Sequence, residues 1–292
     1  MTKIEEKKQI CGNWFKNLRN SICDEFVKIE QEYLDSGVKN GVKFEKTPNF
    51  ERKSWKRDTF DGSDGGGGEM SKMTGNVFEK VGVNISTVYG VFDEQFRSQI
   101  PGTSNSGEFF ATGISLVAHM ASPLVPAVHM NTRFIVTEEN WFGGGGDLNP
   151  MYEDEKDTAD FHSAFKNACD KYEDGAYEKY KKECDEYFFI KHRGVARGVG
   201  GIFYDHLNSG DFDKDLEFTQ NVGKAFLDIY PKLVRRNMFK EFNEQQREHQ
   251  LKKRGLYTEF NLVHDRGTKF GLMTGGNIDA ILMSLPPVAK WD

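Results

Sequence analysis

The 292-residue sequence predicts an α+β fold in a single domain, built on a broad, largely antiparallel β-sheet. Runs of β-branched and aromatic residues cluster together (Val77 to Phe92, Phe110 to His119, Asn131 to Thr137) instead of alternating one for one with helices. Helical spacings lie before and after that cluster. No internal repeat and no break in composition divides the chain, so residues 1–292 form one unit. The 24 Phe among 37% hydrophobic residues suffice for one large core.

Trp14, Leu18, Ile22, Phe26, Ile29 and Tyr33 recur at steps of three or four with Lys and Glu between them, which predicts an amphipathic N-terminal helix. Residues 61–68, DGSDGGGG, read as a flexible loop within the domain, because patterned sequence resumes at once. The glycines, followed on as GGGGEMSK from Gly65 to Lys72, suit a mobile surface loop or a lid over a ligand. In the strand cluster, Phe109 to Thr132 holds no Asp, Glu, Lys or Arg, but His119, His129, Asn131, Pro123 and Pro126 argue against a membrane span. That stretch is read as buried interior. Phe161, Phe165, Tyr177, Tyr180, Cys184 and Tyr187 predict two helices within Asp154 to Tyr187, broken near Asp174-Gly175. Leu216, Val222, Phe226, Ile229 and Leu233 mark another helix, with Pro231 near its end. From Tyr257 to Leu285 the pattern returns to strands, with HDRGT as a hairpin turn around Gly267.

Lys+Arg 39 against Asp+Glu 45 gives a net charge of -6, which argues against a basic nucleic-acid binder. Cys11, Cys23, Cys169 and Cys184 lie too far apart for a CxxC site, and the N-terminus lacks an apolar signal region. Reduced thiols in the cytoplasm are expected. No GxSxG elbow, Cys-His signature or Rossmann GxGxxG stands in the right context, so hydrolytic and nicotinamide chemistry lack support.

The most informative string is WFGGGGDLNPMY, Trp141 to Tyr152. A phosphate loop would end in Gly-Lys-Ser/Thr, whereas here Asp147 follows the glycines. A carboxylate beside bare backbone suits a cationic or N–H-bearing flat ligand; a tight turn whose Asp caps the next helix is the competing reading. His129, Asn131 and Arg133 share one face of a strand, a row suited to carboxylates. KHRGVARGVGGIFYD, Lys191 to Asp205, adds Arg193 and Arg197, either as further anion ligands or as solvated partners of surface acids. His119, His129, His162 and His192 are candidates for a divalent ion, but no short-spacing motif joins them, so a hydrogen-bonded histidine is the better reading of each.

Six strings in order, from about residue 10 to the end, resemble the oxygen-dependent coproporphyrinogen III oxidases of haem biosynthesis. They are VFEKVGVNIS (Val77 to Ser86), SLVAHMASPLVPAVHMNTRF (Ser115 to Phe134), WFGGGGDLNP, KHRGVARGVGGIFYD, YTEFNLVHDRGTKFGLMTGG (Tyr257 to Gly276) and ILMSLPPVAKW (Ile281 to Trp291). The resemblance implies helices on both faces of the sheet, a homodimer, coproporphyrinogen III and O2 as substrates, and no organic cofactor. It also implies roles. Asp147 holds the pyrrole N–H groups and assists deprotonation, and His129 is the proton donor. Arg133, with Asn131 and Thr132 beside it, meets a substrate carboxylate, and Arg193 and Arg197 face the propionates. Ser115, Gly275, Gly276 and Asn277 are substrate-binding positions, and the four histidines match metal ligands of bacterial members.

The chain departs from the family pattern at three places. Asn277 stands where many relatives carry an Arg, which weakens one carboxylate clamp. Met120-Ala121 follows His119 where bacterial relatives have a second His nearby, which weakens a metal site. Relatives continue past the position of Trp291-Asp292, so the dimer surface is expected to differ there. These departures motivate an alternative, a tetrapyrrole-binding protein without catalysis; a metal-dependent hydrolase using the histidines is a third reading. On the leading reading, Asp147→Asn keeps the fold and loses most turnover.

Overall fold

The computed structural model describes every residue except 1, 39–42, 58, 60–61, 93, 98–99 and 274. Helix α1 (Lys3–Asp35) opens the chain, capped by Thr2, whose hydroxyl accepts from the Glu5 N–H. Its apolar stripe buries Leu18, Ile22, Phe26 and Ile29 as the spacing predicted and Cys11 and Phe15 besides, while Trp14 and Tyr33 of the predicted stripe pack at its margin. Strands β1 (Glu51–Lys56), β2 (Gly66–Met73) and β3 (Phe78–Val91) follow, then the short α2 (Glu94–Arg97), β4 (Glu108–Met120), β5 (Ala127–Val136) and β6 (Asn140–Asn149). Helices α3 (Glu155–Asp170) and α4 (Ala176–Tyr187) lead through a small β7 (Phe189–Ile190) and β8 (Val195–Ala196) ladder to β9 (Gly200–Leu207). Helices α5 (Phe212–Asn237) and α6 (Glu244–Glu259), a π-helical turn (Phe260–His264), α7 (Arg266–Met273) and α8 (Ile278–Leu282) complete the fold.

The seven-stranded sheet has the order β1-β2-β3-β4-β5-β6-β9, each neighbour pair antiparallel. One face packs on α1, α3 and α5, with Phe26 against Phe78, Tyr204 against Phe218, and Phe134 and Phe142 against Phe212. The other face meets the C-terminal third of the chain: Lys80 Nζ donates to the Leu285 carbonyl at 2.7 Å, and Asn84 Nδ2 to that of Ala280 at 3.1 Å. Helices therefore lie on both faces.

Two polar contacts fasten α1 to the sheet. Arg19, 1% exposed, donates to Glu69 at 2.6 Å and to Ser71 at 2.8 Å. Glu30, 0% exposed, accepts from the backbone N–H groups of Asn76, Val77 and Phe78 at 2.8, 3.0 and 2.8 Å. Burial pushes the Glu30 carboxyl up, and these three N–H groups draw it partly back. Glu30→Ala strands three buried donors and is expected to cost roughly 3 kcal/mol or more, read from the urea unfolding midpoint. An unchanged midpoint would contradict the capping role.

Several expectations need correction. The glycine run is a loop only over residues 62–65; residues 66–72 are not a mobile loop or lid but lie in β2, paired to both β1 and β3, while Asp61 falls outside the described residues. Trp141 to Asn149 is neither a turn nor a helix cap; it is a central strand, with Asp154 capping α3 instead. Tyr257 to Leu285 is helical, not a hairpin. The Asn243 and Gln246 capping box starts α6, and Asp265 Oδ2 accepts the Thr268 N–H at 2.6 Å, so HDRGT begins α7. Pro231 sits inside α5, which runs on to Asn237. The break at Gly175 is real, at φ 78 before α4.

All four cysteines are unpaired and buried. Burial pushes the thiols of Cys11, Cys23 and Cys169 up to about 12. Among the described residues no helix is long and apolar enough to cross a membrane, and Phe109 to Thr132 occupies two central strands.

Candidate active site

Strand β5 alternates with period two. Val128, Met130, Thr132, Phe134 and Val136 are buried against the helices, which leaves His129, Asn131 and Arg133 on the opposite face. In β6 their partners are Asp147, Gly145 and Gly143 respectively. Asn131 also lies opposite the exposed Ser115 of β4, which lies opposite Asn84 of β3. Arg133 faces Gly113, and Gly113 faces Ser86. The floor around Arg133 and Asn131 is thus Gly and Ser, flat and poor in side chains. Gly145 allows the strand to adopt φ 148 and pass close to β9, where a Cβ would lie 2.0 Å from the Ile202 carbonyl oxygen.

Asp147 is 1% exposed, and both oxygens are engaged. Oδ1 accepts from His129 Nδ1 at 2.8 Å and Arg197 Nη2 at 2.7 Å; Oδ2 accepts from Asn149 Nδ2 at 2.9 Å and Arg197 Nη2 at 2.7 Å. Burial by itself would raise the carboxyl, but the Arg197 guanidinium and then His129 outweigh it and bring Asp147 down to about 2. The Arg197 side chain is only 2% exposed and stacks on the rings of Phe188 at 4.0 Å and of Tyr257 and Phe260 at 4.7 Å. A dry guanidinium is stable there because a carboxylate and three π-faces replace its water. The sequence-level picture of Asp147 as an open acceptor and Arg197 as a free clamp therefore differs from the structure, in which each neutralises the other.

Arg133 reaches solvent from this face, at 29% side-chain exposure. Its Nη1 donates to Asn131 Oδ1 at 3.2 Å and its Nη2 to Asp205 Oδ1 at 2.8 Å. Asp205 was not anticipated, although Gly201, Phe203 and Asp205 alternate toward the Asp147 face and supplied the available signal. Thr132, 0% exposed, points its side chain into the helical core and not toward this face. Arg193 follows the surface alternative: it pairs with Glu259 at 2.8 and 2.6 Å, well exposed. Glu259 also accepts from His192 Nε2 and Trp291 Nε1, and Arg193 foremost holds it down to about 2.

The C-terminal segment roofs the neighbouring strands. Gly275 takes φ 73, the Gly276 N–H donates to the Gly271 carbonyl at 2.8 Å, and Asn277 Oδ1 accepts the Ala280 N–H at 2.9 Å as the cap of α8. Asn277 is thus committed to its helix and makes no carboxylate clamp in this arrangement. Met283 rests on Gly82, where a Cβ would lie 1.9 Å from its Cε.

The four candidate histidines do not gather. His119 is buried, places Nε2 2.9 Å from the Ser284 carbonyl, and is pushed down to about 3 by that burial. His162 contacts the Val199 carbonyl and the Tyr177 hydroxyl, and His192 contacts His264 and Glu259. Among the described residues no three His, Cys, Asp or Glu are grouped as a metal site, so these side chains do not fit a shared ion.

A buried carboxylate backing an imidazole, beside an arginine on a bare antiparallel sheet, is an arrangement suited to acid–base chemistry on a flat anionic molecule. It is not a phosphate loop or a nucleotide fold. Comparison with known proteins narrows the class. The family model described as coproporphyrinogen III oxidase matches residues 11–292. A protein of Rickettsia bellii (strain OSU 85-389) named oxygen-dependent coproporphyrinogen-III oxidase is 59% identical over 288 residues, covering 98% of this chain and 99% of that one. Proteins of the same name from Rickettsia akari (strain Hartford) and Rickettsia rickettsii (strain Sheila Smith) are 58% and 57% identical over 287 residues, each covering 98% of this chain and 99% of the relative. The chain belongs to the coproporphyrinogen III oxidase family.

Proposed function

We propose that the chain is a single-domain, oxygen-dependent coproporphyrinogen III oxidase. In two rounds, a propionate of coproporphyrinogen III loses CO2 and two hydrogens to become a vinyl, while O2 is reduced to H2O2, leaving protoporphyrinogen IX. The observation that carries this reading is the His129–Asp147 pair, 2.8 Å apart, set beside Arg133 on a floor of Gly and Ser. A macrocycle ringed by carboxylates needs a flat surface, a guanidinium at its rim and a group that moves a proton. Arg133 pairs with a propionate, Ser115 and Asn131 flank it, and His129 carries the proton. Asp147 acts through His129, orienting the ring; to reach a pyrrole N–H it would first release a present partner.

No organic cofactor enters this reading, since O2 takes the electrons. Turnover is expected to survive a chelator, each of the four histidines having another partner. An oxygen electrode, with peroxide measured in parallel, tests the proposal. One O2 consumed and one H2O2 formed per vinyl is the expected result. Tight porphyrinogen binding without O2 uptake would overturn it in favour of a non-catalytic tetrapyrrole binder.

A homodimer and a reducing, cytoplasmic setting belong to the same proposal. Leu262, Val263, Leu272, Met273, Ile278 and Trp291 expose 47, 49, 42, 63, 61 and 54% of their surface on the C-terminal segment, which supports a partner there. The four unpaired buried thiols support the compartment. In sedimentation velocity the native chain is expected to run as a dimer, and Leu262→Glu with Val263→Glu as a monomer. Equal sedimentation of both would contradict this surface.

A further inference from the structure

The hydrogen bonds along the outer face of β5 have a direction. A guanidinium carries donors only, so the Asn131 atom 3.2 Å from Arg133 Nη1 is the carbonyl oxygen, Oδ1. The amide nitrogen then faces Nε2 of His129, at 3.0 Å. An amide nitrogen also only donates. Nε2 must therefore supply a lone pair, and the ring proton is left on Nδ1, 2.8 Å from Asp147 Oδ1. Every member is satisfied in one sense alone: Arg133 donates to Asn131, Asn131 to His129 and His129 to Asp147. A doubly protonated ring would set N–H against N–H at Nε2. The charges agree, because the Asp147 carboxylate already has a buried partner in Arg197, 2.7 Å away, and needs no second cation.

We propose that Asn131 is a positioning residue that fixes the tautomer of His129, its own orientation being fixed by Arg133, so that the resting site presents a proton acceptor at Nε2. This deepens the function proposed above and rests on it only for the consequence: His129 opens the cycle by accepting a proton and donates one only afterwards. Asn131 thereby gains a role besides flanking the ligand. The amide is read at one end by an obligate donor and at the other by the imidazole, which is why an aspartate of the same shape would not serve.

The test is 15N NMR of the full chain with labelled histidine near neutral pH, the His129 signals being assigned by their loss in His129→Gln. The native protein is expected to show Nδ1 at the pyrrole-type position and Nε2 at the pyridine-type position. In Asn131→Asp the side chain can only accept, and Nε2 is expected to move to the pyrrole-type position. In Arg133→Met the amide loses its anchor, and Nε2 is expected to move part of the way. Circular dichroism confirms that each variant is folded. A protonated Nε2 in the native protein, or a folded Asn131→Asp with native His129 signals, would overturn the proposal. The spectra need no substrate, so this pattern in a chain that leaves coproporphyrinogen III unchanged would overturn the function and leave the tautomer assignment standing.

Discussion

Asp147→Asn is expected to lose about 3–5 kcal/mol of stability at neutral pH, because it leaves the Arg197 guanidinium buried without a counter-charge. The sequence alone suggested that this exchange touches only chemistry. The structure makes it a packing and charge change too: Arg197 is 2% exposed and has been stacked among Phe188, Tyr257 and Phe260, with no route to water. The effect has a sign in pH. Asp147 is held at about 2 in the folded chain, below the ordinary aspartate value of about 3.9, so its contribution is present above about pH 4 and fades as pH falls toward 2. The gap between native and variant proteins should therefore narrow by a few kcal/mol as pH falls toward 2. Urea unfolding at neutral and acid pH measures it. A variant as stable as the native chain at neutral pH would show that Arg197 is not locked to Asp147. Turnover should fall as well, since His129 loses the acceptor that orients it.

His129→Gln is expected to retain the fold and to lose about 10²–10⁴-fold in turnover, the usual worth of a positioned general acid–base group. The side chain is 14% exposed and projects from the outer face of β5, so glutamine creates no cavity in the Phe-rich core. Glutamine can still donate to Asp147, which leaves the Asp147–Arg197 pair intact. KM should change little, because Arg133 and the Gly and Ser floor are untouched. Steady-state rates together with the thermal midpoint separate the two effects. A variant with near-native turnover would remove His129 from the chemistry, and one with a collapsed midpoint would make its role structural.

Strands β3, β4 and β5 and the polar row on β5 were legible because period two and long polar side chains leave a local trace. His129, Asn131 and Arg133 could be placed on one face from their numbering alone, and β5 puts them there. The pairing of Arg197 with Asp147 was not legible. It joins residues 50 apart and depends on β9 lying beside β6, which no local pattern announces. The same distance hid Asp205, whose partner Arg133 is 72 residues away. The C-terminal segment misled for a different reason. Leu262, Val263, Phe270 and Leu272 are exposed and only Phe260 is fully buried among its Val, Leu and Phe residues, so no helical stripe shows and composition favoured strands, while the helix signals are single capping contacts at Asn243 and Asp265. Glycines at 66–68 read as a loop because Gly weakens isolated strands, yet neighbours on both sides hold them in β2.

The central claim, that this sheet face converts propionates to vinyls using His129, is tested most directly by chromatography of products. Purified chain and its His129→Gln variant are incubated with coproporphyrinogen III in air. The expected result is the two-vinyl product from the native chain, with a yield per unit time at least about 10²-fold lower from the variant. No vinyl product from the native chain in air, or equal yields from both proteins, would contradict it.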